Sequence, residues 1–426
     1  MLTAGKKNIP LTPLPRFLPF APPLMGQREL KEIAGTLKSG WLTTGPKAER
    51  FEAAMAEYLG APSSLAVSSC TAALHLALLV LNLKPGEGVI TTPLTFASTA
   101  HAIIYCGARP FLADISPDTG NLDPQKVLEF IENECVTGPD GRPVHRASKV
   151  KITTLLPIHY GGHPADLPAF WSLAREYQLN ILEDAAHATG TFLGDLPVGH
   201  PDLRPPQAPP GMTAFSFYAT KNLATGEGGL LTASSPLLLD RARKLSAYGL
   251  SDARRIWGRY APQGTWVYDI EELGYKYNFT DIQASLGLVQ LSRLRGMLEA
   301  RRLRADLWTK ILAELDDLVI LPRERSGAKP SWHLYPLRVN TERLKISRDE
   351  LIVRLRELNI GTSVMFIPIH YHSYYQKSLG YVPGSFPEAE SFFQKEISLP
   401  VSPAASLKNI RSAANLTVNL IKTWAK

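Results

Sequence analysis

Cysteine is scarce: Cys70, Cys106 and Cys135 are the only three in 426 residues, odd in number and scattered. That excludes a disulfide framework and a structural zinc site, leaves no metal site to expect, and fits a reducing compartment. Long apolar runs are missing too. The most apolar stretch, TAALHLALLVLNL, is interrupted by His75 and falls short of the ~20 residues a bilayer demands. The opening MLTAGKKNIPLTPLPRF carries prolines and no extended apolar core, which argues against a signal peptide. A soluble, cytoplasmic protein with no membrane partner is expected. Neither a glycine every third residue nor a sustained heptad occurs, so collagen-like and coiled-coil chains are excluded. No charge sign dominates strongly: 46 Lys+Arg against 39 Asp+Glu leave a net +7. With 45% hydrophobic and 20% charged residues the composition is globular rather than disordered. The length allows two or three domains, each with its own core.

A pI near 9.1 raises the question of nucleic acid. Basic residues gather in RLRGMLEARRLR, Arg293 to Arg304, with Leu294, Leu298 and Leu303 between them. The pattern reads as an amphipathic helix with a solvated face. No helix-turn-helix, finger or aromatic–basic interleaving accompanies it. An anionic small substrate accounts for the excess equally well, and no nucleic-acid partner is expected.

Along the chain, helical and strand-like segments alternate. The first 25 residues are proline-rich and read as an extended arm, lying across a partner subunit. RELKEIAGTLKSG and PKAERFEAAMAEYLG read as amphipathic helices stopped by Gly40 and Gly60. SLAV, GVITT, RPFLAD, KITTLLPI and NILED are short β-rich runs separated by helices such as PADLPAFWSLAREY. This alternation predicts an α/β fold, a mainly parallel sheet in a large αβα domain, with the active site at the strand ends. Asn133 to Lys149, Pro201 to Pro210 and Ser251 to Tyr268 read as surface insertions. A long helix from Thr280 leads into a smaller α+β segment with HLYPLRV and a helix from Arg348. The expected division is 1–25 (arm), 26–290 (large domain) and 291–426 (small C-terminal domain).

Four segments carry chemistry. AFSFYATKN brings an apolar strand to Ser216 and, five residues later, to Lys221, with GEGG following at Gly226 to Gly229. A lysine closing a buried run must be solvated, paired or covalently used, because burying its charge is costly. NILEDAAHATG ends a strand on Asp184, either a helix N-cap or a carboxylate awaiting a cation, with His187 one turn on. AVSSCTAALHLAL passes from strand to helix through Ser69, Cys70 and Thr71, which can cap that helix or offer an anion site at its N-terminus. TTPLTFAST places Phe96 after a strand, where it alone would read as core. In combination the order is specific. Phosphate cradle, aromatic ring, strand-end Asp and Ser-x4-Lys are what pyridoxal phosphate chemistry requires.

The segments GWLTTGPKAERFE, SSCTAALHLAL, EDAAHATG, FSFYATKNLATGEGG, LGYKYNFTDIQASLGLVQL, WHLYPLRV and FIPIHYH resemble the DegT/DnrJ/StrS family of sugar aminotransferases, from about Gly40 to Pro400. The resemblance implies the fold type I architecture of pyridoxal 5'-phosphate (PLP) enzymes, with pyridoxamine 5'-phosphate (PMP) as the intermediate form. It implies that Lys221 joins the cofactor covalently and then carries protons, and that Asp184 pairs with the pyridine nitrogen. His187, where many relatives have Gln, would lie near the 3-hydroxyl. Ser69, Cys70, Thr71, Ala72 and Ser216 would surround the phosphate, and Phe96 would cover the ring. Lys276, where relatives often have Asn, would reach the phosphate from a neighbouring subunit with Asn278 close by, which requires a homodimer with shared active sites. Trp41, Thr43, Thr44, His333, His370 and His372 are candidates for the sugar or its diphosphate, with ordinary loop histidines an equal reading of the last two. Cys70 stands where Gly is frequent, and Lys221 speaks against the sugar dehydratases that carry His instead.

The implied reaction is transfer of an amino group from an amino acid, glutamate, to a nucleotide-linked keto sugar at the 4-position of a 4-keto-6-deoxy hexose. A 3-keto sugar or a non-sugar cyclic ketone is the alternative within the family. A non-catalytic PLP- or sugar-binding regulator is the alternative outside it.

Overall fold

The computed structural model describes residues 11–251 and 268–426. Seven strands form the central sheet: β1 (Leu65–Val67), β2 (Gly88–Thr91), β3 (Arg109–Leu112), β4 (Ile152–Leu155), β5 (Asn180–Ala185), β6 (Gly211–Ser216) and β7 (Gly229–Ala233). Their spatial order is β1-β7-β6-β5-β4-β2-β3, and only β7 runs against its neighbours. β5 and β6 are buried along their whole length, as strands covered on both faces must be.

The helix Cys70–Val80 is apolar all round, and it lies inside, between the sheet and the helices Ala97–Tyr105 and Pro236–Ser246. Helices Pro124–Glu134 and Leu167–Glu176 cover the other face, where Phe111, Phe170 and Trp171 are buried together. This is the expected sheet between helical layers.

Asp281–Leu312 is one continuous helix, started by a reciprocal cap between Thr280 and Gln283. Its first half packs on Gln27–Ser39 and Pro46–Leu59, and its later part packs on the C-terminal helix Leu407–Thr423. A division at 290/291 therefore passes through the middle of a helix that belongs to both bodies. Beyond it, β8 (Val319–Ile320), β9 (Tyr335–Val339) and β10 (Glu396–Leu399) form a small antiparallel sheet in the order β8-β9-β10. Helices Arg348–Glu357 and Leu407–Thr423 pack against it.

Residues 11–25 include two apolar anchors. They dock on their own chain: Leu14 and Leu18 are buried in the small-domain core. Their N–H groups donate to the carbonyls of Leu358 and Asn359. Apolar side chains at this spacing have a matching groove within the same chain. The expected insertion at Asn133 to Lys149 contains a two-stranded hairpin, Cys135–Thr137 with Pro143–His145. The one at Pro201 to Pro210 opens with a single helical turn, Pro201–Leu203. Most of Ser251 to Tyr268 lies outside the described residues. Among the described residues no helix is long and apolar enough to cross a membrane.

A return crossing positions the site. After leaving the small sheet's side, the chain lays Val364 to Ile367 along the large domain's edge. There the Ile369 N–H donates to the Pro93 carbonyl and the Tyr375 hydroxyl to that of Ala97.

Candidate active site

β5 and β6 run parallel with Asp184 opposite Ala214, so the two strands deliver Asp184 and Ser216 to one edge of the sheet. A tight turn follows β6, closed by the Lys221 N–H on the Tyr218 carbonyl at 2.8 Å, and returns Lys221 to that edge. β7 comes back antiparallel with Gly229 opposite both Ser216 and Val67. Gly229 is needed there: a Cβ would come within 2.4 Å of the Ser69 carbonyl. Its absence lets β7 press against the turn that starts the helix Cys70–Val80.

These elements enclose a cavity of about 740 Å³. Ser69, Cys70, Thr71, Phe96, Asp184, His187, Ser216, Lys221, His333 and His372 all line it, although they come from six separate stretches of sequence. Phe96 is 62% exposed, a ring offered to the cavity rather than core. Ser69 does cap its helix, accepting from the Ala72 N–H at 3.1 Å. Ala72 has its N–H engaged by that cap and does not itself line the cavity. Ser69, Thr71 and Ser216 still bring hydroxyls to the positive end of the helix dipole.

The electrostatics are unusual for a sheet edge. Lys221 is half-buried, and no carboxylate among the described residues lies within ion-pair distance of its amine. Desolvation brings its pKa down to about 8, against a smaller upward pull from Cys70 and Asp184. Burial pushes the Asp184 carboxyl upward, opposed by hydrogen bonds from Thr99 and the Ala186 N–H and by the Lys221 charge. His187 accepts the Gly161 N–H on Nδ1, which leaves the proton on Nε2. Burial, with Lys221 nearby, keeps it neutral. Its ring lies 4.3 Å from that of His333 and 5.6 Å from that of Phe366.

The remaining expected residues are elsewhere. Trp41, Thr44 and Asn278 line a separate cavity of about 210 Å³. Asn278 donates to the Thr44 hydroxyl at 2.8 Å, and the Trp41 indole donates to the Thr44 carbonyl at 3.0 Å. Thr43 is exposed, and its carbonyl accepts the Asp281 N–H. Lys276 does not line the larger cavity, and its ammonium sits 5.3 Å from the Tyr248 ring centroid. Within one chain Trp41, Thr44 and Asn278 form their own cluster. His370 is a clear correction: it is fully buried, bonded through Nε2 to Glu390 at 2.9 Å, and not part of the cavity. It belongs to a structural network that also takes in Tyr371.

Sequence reasoning missed Thr99, His159, Tyr160 and the wall Val364 to Ile367. Thr99 donates to Asp184 at 2.8 Å, and its signal was a hydroxyl in the first turn after Phe96. His159 lines the cavity and bonds to Glu183 at 3.0 Å. The wall did not stand out, because VMFI reads as core, although the family-like segment FIPIHYH begins within it.

The donor set fits PLP. A desolvated amine without an ion-pair partner suits condensation with an aldehyde, and a buried carboxylate suits a cationic nitrogen. Hydroxyls at a helix N-terminus suit a phosphate.

Comparison with known proteins agrees. The model of the DegT/DnrJ/EryC1/StrS aminotransferase family matches residues 23–416. SpsC of Bacillus subtilis (strain 168), named a spore coat polysaccharide biosynthesis protein, is 42% identical over 407 residues, covering 95% of this chain and 97% of its own. Spr1654 of Streptococcus pneumoniae in its PLP form superposes with a TM-score of 0.80 at 28% identity, covering 95% of this chain and 99% of that one. Its PMP form gives 0.81 at 28% identity, with 95% and 98% covered. CalS13 of Micromonospora echinospora, a sugar aminotransferase, gives 0.78 at 26% identity, with 94% and 99% covered.

Proposed function

The chain belongs to the DegT/DnrJ/EryC1/StrS aminotransferase family and is a PLP-dependent sugar aminotransferase of fold type I, and on that premise we propose that it moves an amino group from L-glutamate to C4 of a nucleotide-linked 4-keto-6-deoxy hexose. One observation carries this reading: the unpaired amine of Lys221 and the carboxylate of Asp184 share a cavity whose outer wall is apolar, formed by Val364, Met365, Phe366 and Ile367. A fully hydroxylated sugar would lose hydrogen bonds to water against such a wall, whereas a 6-deoxy sugar presents a methyl group to it.

The cofactor, when bound, supplies an electron sink for the carbon that loses its proton. The protein residues do the rest. Asp184, anchored by Thr99 and the Ala186 N–H, faces the ring nitrogen with an anion that burial makes stable only against a cation. His187 would offer its Nε2 proton toward the ring oxygen, and Phe96 would cover a face. Ser69, Thr71 and Ser216 would hold the phosphate. Lys221, with a pKa near 8, takes a proton from the donor's α-carbon and returns one to the product side at close to neutral pH. His333 and His372 line the same cavity and would be the side chains to meet the sugar.

The cluster of Trp41, Thr44, Lys276 and Asn278 completes the site of a second copy in a homodimer. Its support is that Trp41, Thr44 and Asn278 are already organised together, outside the lining of their own chain's Lys221 cavity, as Lys276 is too. SpsC, named for polysaccharide biosynthesis, supports a nucleotide-linked substrate.

The test is spectrophotometric. PMP-loaded enzyme is mixed with a panel of nucleotide-linked 4-keto, 3-keto and non-sugar cyclic ketones, and regeneration of the PLP band is followed. Turnover confined to the 4-keto-6-deoxy sugars is expected. Preference for any other class overturns the substrate.

A further inference from the structure

Met365 is held from both sides. Its N–H donates to Oε2 of Glu396 at 2.9 Å, and its carbonyl accepts the Tyr160 hydroxyl. Glu396 opens β10 in the small sheet, is fully buried and does not itself line the cavity. Its other oxygen accepts the Ser398 hydroxyl. The nearest cation, Arg348, donates instead to the main-chain carbonyl of Glu396 at 2.8 Å. Among the described residues Glu396 forms no ion pair, and burial pushes its carboxyl up to about 8. A costly buried acid is thus committed to one main-chain N–H of a segment whose other ties are the Tyr160 hydroxyl on the Met365 carbonyl and the Ser363–Ser398 bridge.

That segment is the cavity wall. Phe366, next in sequence, places its ring 6.0 Å from Phe96 and 5.6 Å from His187, the two rings expected to border the cofactor. A single antiparallel bridge, Ser363 to Ser398, ties the segment's start to β10. The Glu396 carboxyl therefore sets how far the Met365–Phe366 peptide projects into the cavity.

We propose that Glu396 is a positioning residue for the apolar wall, and that through the Met365 N–H it governs binding of the keto-sugar substrate without governing that of the amino donor. The inference rests on the sugar reading above. An amino-acid donor is charged at both ends and finds no partner on Val364, Met365, Phe366 or Ile367, whereas the sugar's apolar edge does.

The experiment compares the two half-reactions, followed by the cofactor's absorption in single turnovers, for wild type, Glu396→Ala, Glu396→Gln and Tyr160→Phe. Glu396→Gln keeps an acceptor oxygen and is expected to stay within about twofold of wild type in both halves. Glu396→Ala leaves the Met365 N–H unsatisfied and should raise the half-saturating sugar concentration roughly tenfold, the scale of one lost buried acceptor. Its donor half-reaction and PLP band should not change. Tyr160→Phe frees the same peptide at its carbonyl and should shift the sugar half in the same direction, which gives the test a second route if the alanine variant does not fold. Equal losses in both half-reactions, a displaced PLP band, or a glutamine variant as impaired as the alanine one would overturn the proposal. A wild type that accepts the donor but no sugar would instead overturn the substrate reading, and this inference with it.

Discussion

The Thr99 hydroxyl donates its single proton to Oδ2 of Asp184 at 2.8 Å, so the Thr95 hydroxyl, 2.8 Å from Thr99, must in turn donate to Thr99. With the Ala186 N–H on Oδ1, the carboxylate is fixed at both oxygens before any ligand arrives. Preorganisation of this kind lowers the cost of meeting a cation, because no side chain has to be ordered on binding. Thr99→Val, which keeps the shape and removes the donor, should weaken PLP binding to the apoprotein roughly tenfold, the scale of a hydrogen bond to a charged group. Asp184→Asn should weaken it further and blue-shift the cofactor band. Fluorescence titration of apoprotein with PLP checks both. Unchanged affinity in the valine variant would show that Asp184 needs no such support.

Lys221→Ala removes the amine while leaving the cradle of Ser69, Thr71 and Ser216 intact. The variant should bind PLP without a covalent bond, so that borohydride fixes nothing to the peptide. Turnover should fall by at least ~10³-fold, since both covalent attachment and proton transfer go with the amine. Retained transamination would remove Lys221 from the chemistry.

The state of that amine has a pH signature. Desolvation lowers its pKa from 10.5 to about 8. Only the neutral amine condenses with an aldehyde, so capture of PLP by apoprotein should speed up with rising pH and level off above about 8. An ordinary lysine would keep gaining rate to about 10.4. For the apoprotein the sign is the same. The folded state binds fewer protons than the unfolded one between the two values, so stability rises with pH across that window, and below it the penalty is complete. A capture rate still climbing at pH 10 would mean that the amine is solvated.

The parts of the site that were legible in the sequence are those where a rule of period ends abruptly. Asp184, Ser216 and Lys221 close or follow runs with no solvent face, and parallel strands deliver such ends to one edge. Phe96 taken alone could not be separated from core, because an aromatic after a strand packs inward more often than it faces a cavity, and only the order of the four segments and the family resemblance set it over a ring. Thr99 was hidden because its partner is 85 residues away. His370 and His372 show the limit most clearly. They lie two apart in one short turn, and one is fully buried while the other is exposed at the cavity's edge. Nothing local decides which goes where. Glu390, 20 residues on, decides it.

This assignment separates the two histidines in function. His370→Leu removes one of the hydrogen bonds to the Glu390 carboxylate and should destabilise the fold by about 1–3 kcal/mol. The sugar's KM should hardly change. His372→Ala should do the reverse, leaving thermal unfolding unmoved while raising the sugar's KM several-fold. Paired melting curves and steady-state kinetics check this. A His370 variant with normal stability and poor sugar binding would return it to the substrate.

If the cluster around Lys276 serves a second copy, the active site is divided between chains, and division has an arithmetic consequence. Lys221→Ala disables the cavity of its own chain. Lys276→Glu places a carboxylate where the partner's phosphate would be and disables the cavity of the other chain. Each homodimer is then inactive for a different reason. In a heterodimer of the two, one cavity has lost both contributions, and the other combines an intact Lys221 with an intact Lys276. Random reassortment of equal amounts makes half the dimers mixed, so about a quarter of wild-type sites should return. The activity should appear only after the dimers exchange subunits, at a rate set by their dissociation. A site complete within one chain cannot be rescued this way, since every mixed dimer would then carry the same two damaged cavities as its parents. Mixing the purified variants under mild denaturant, then dialysing and assaying, distinguishes the cases. Absence of recovery, with mixed dimers demonstrated by mass spectrometry, would confine the site to one protomer and leave the Trp41, Thr44 and Asn278 cluster as a local support for the helix Pro46–Leu59.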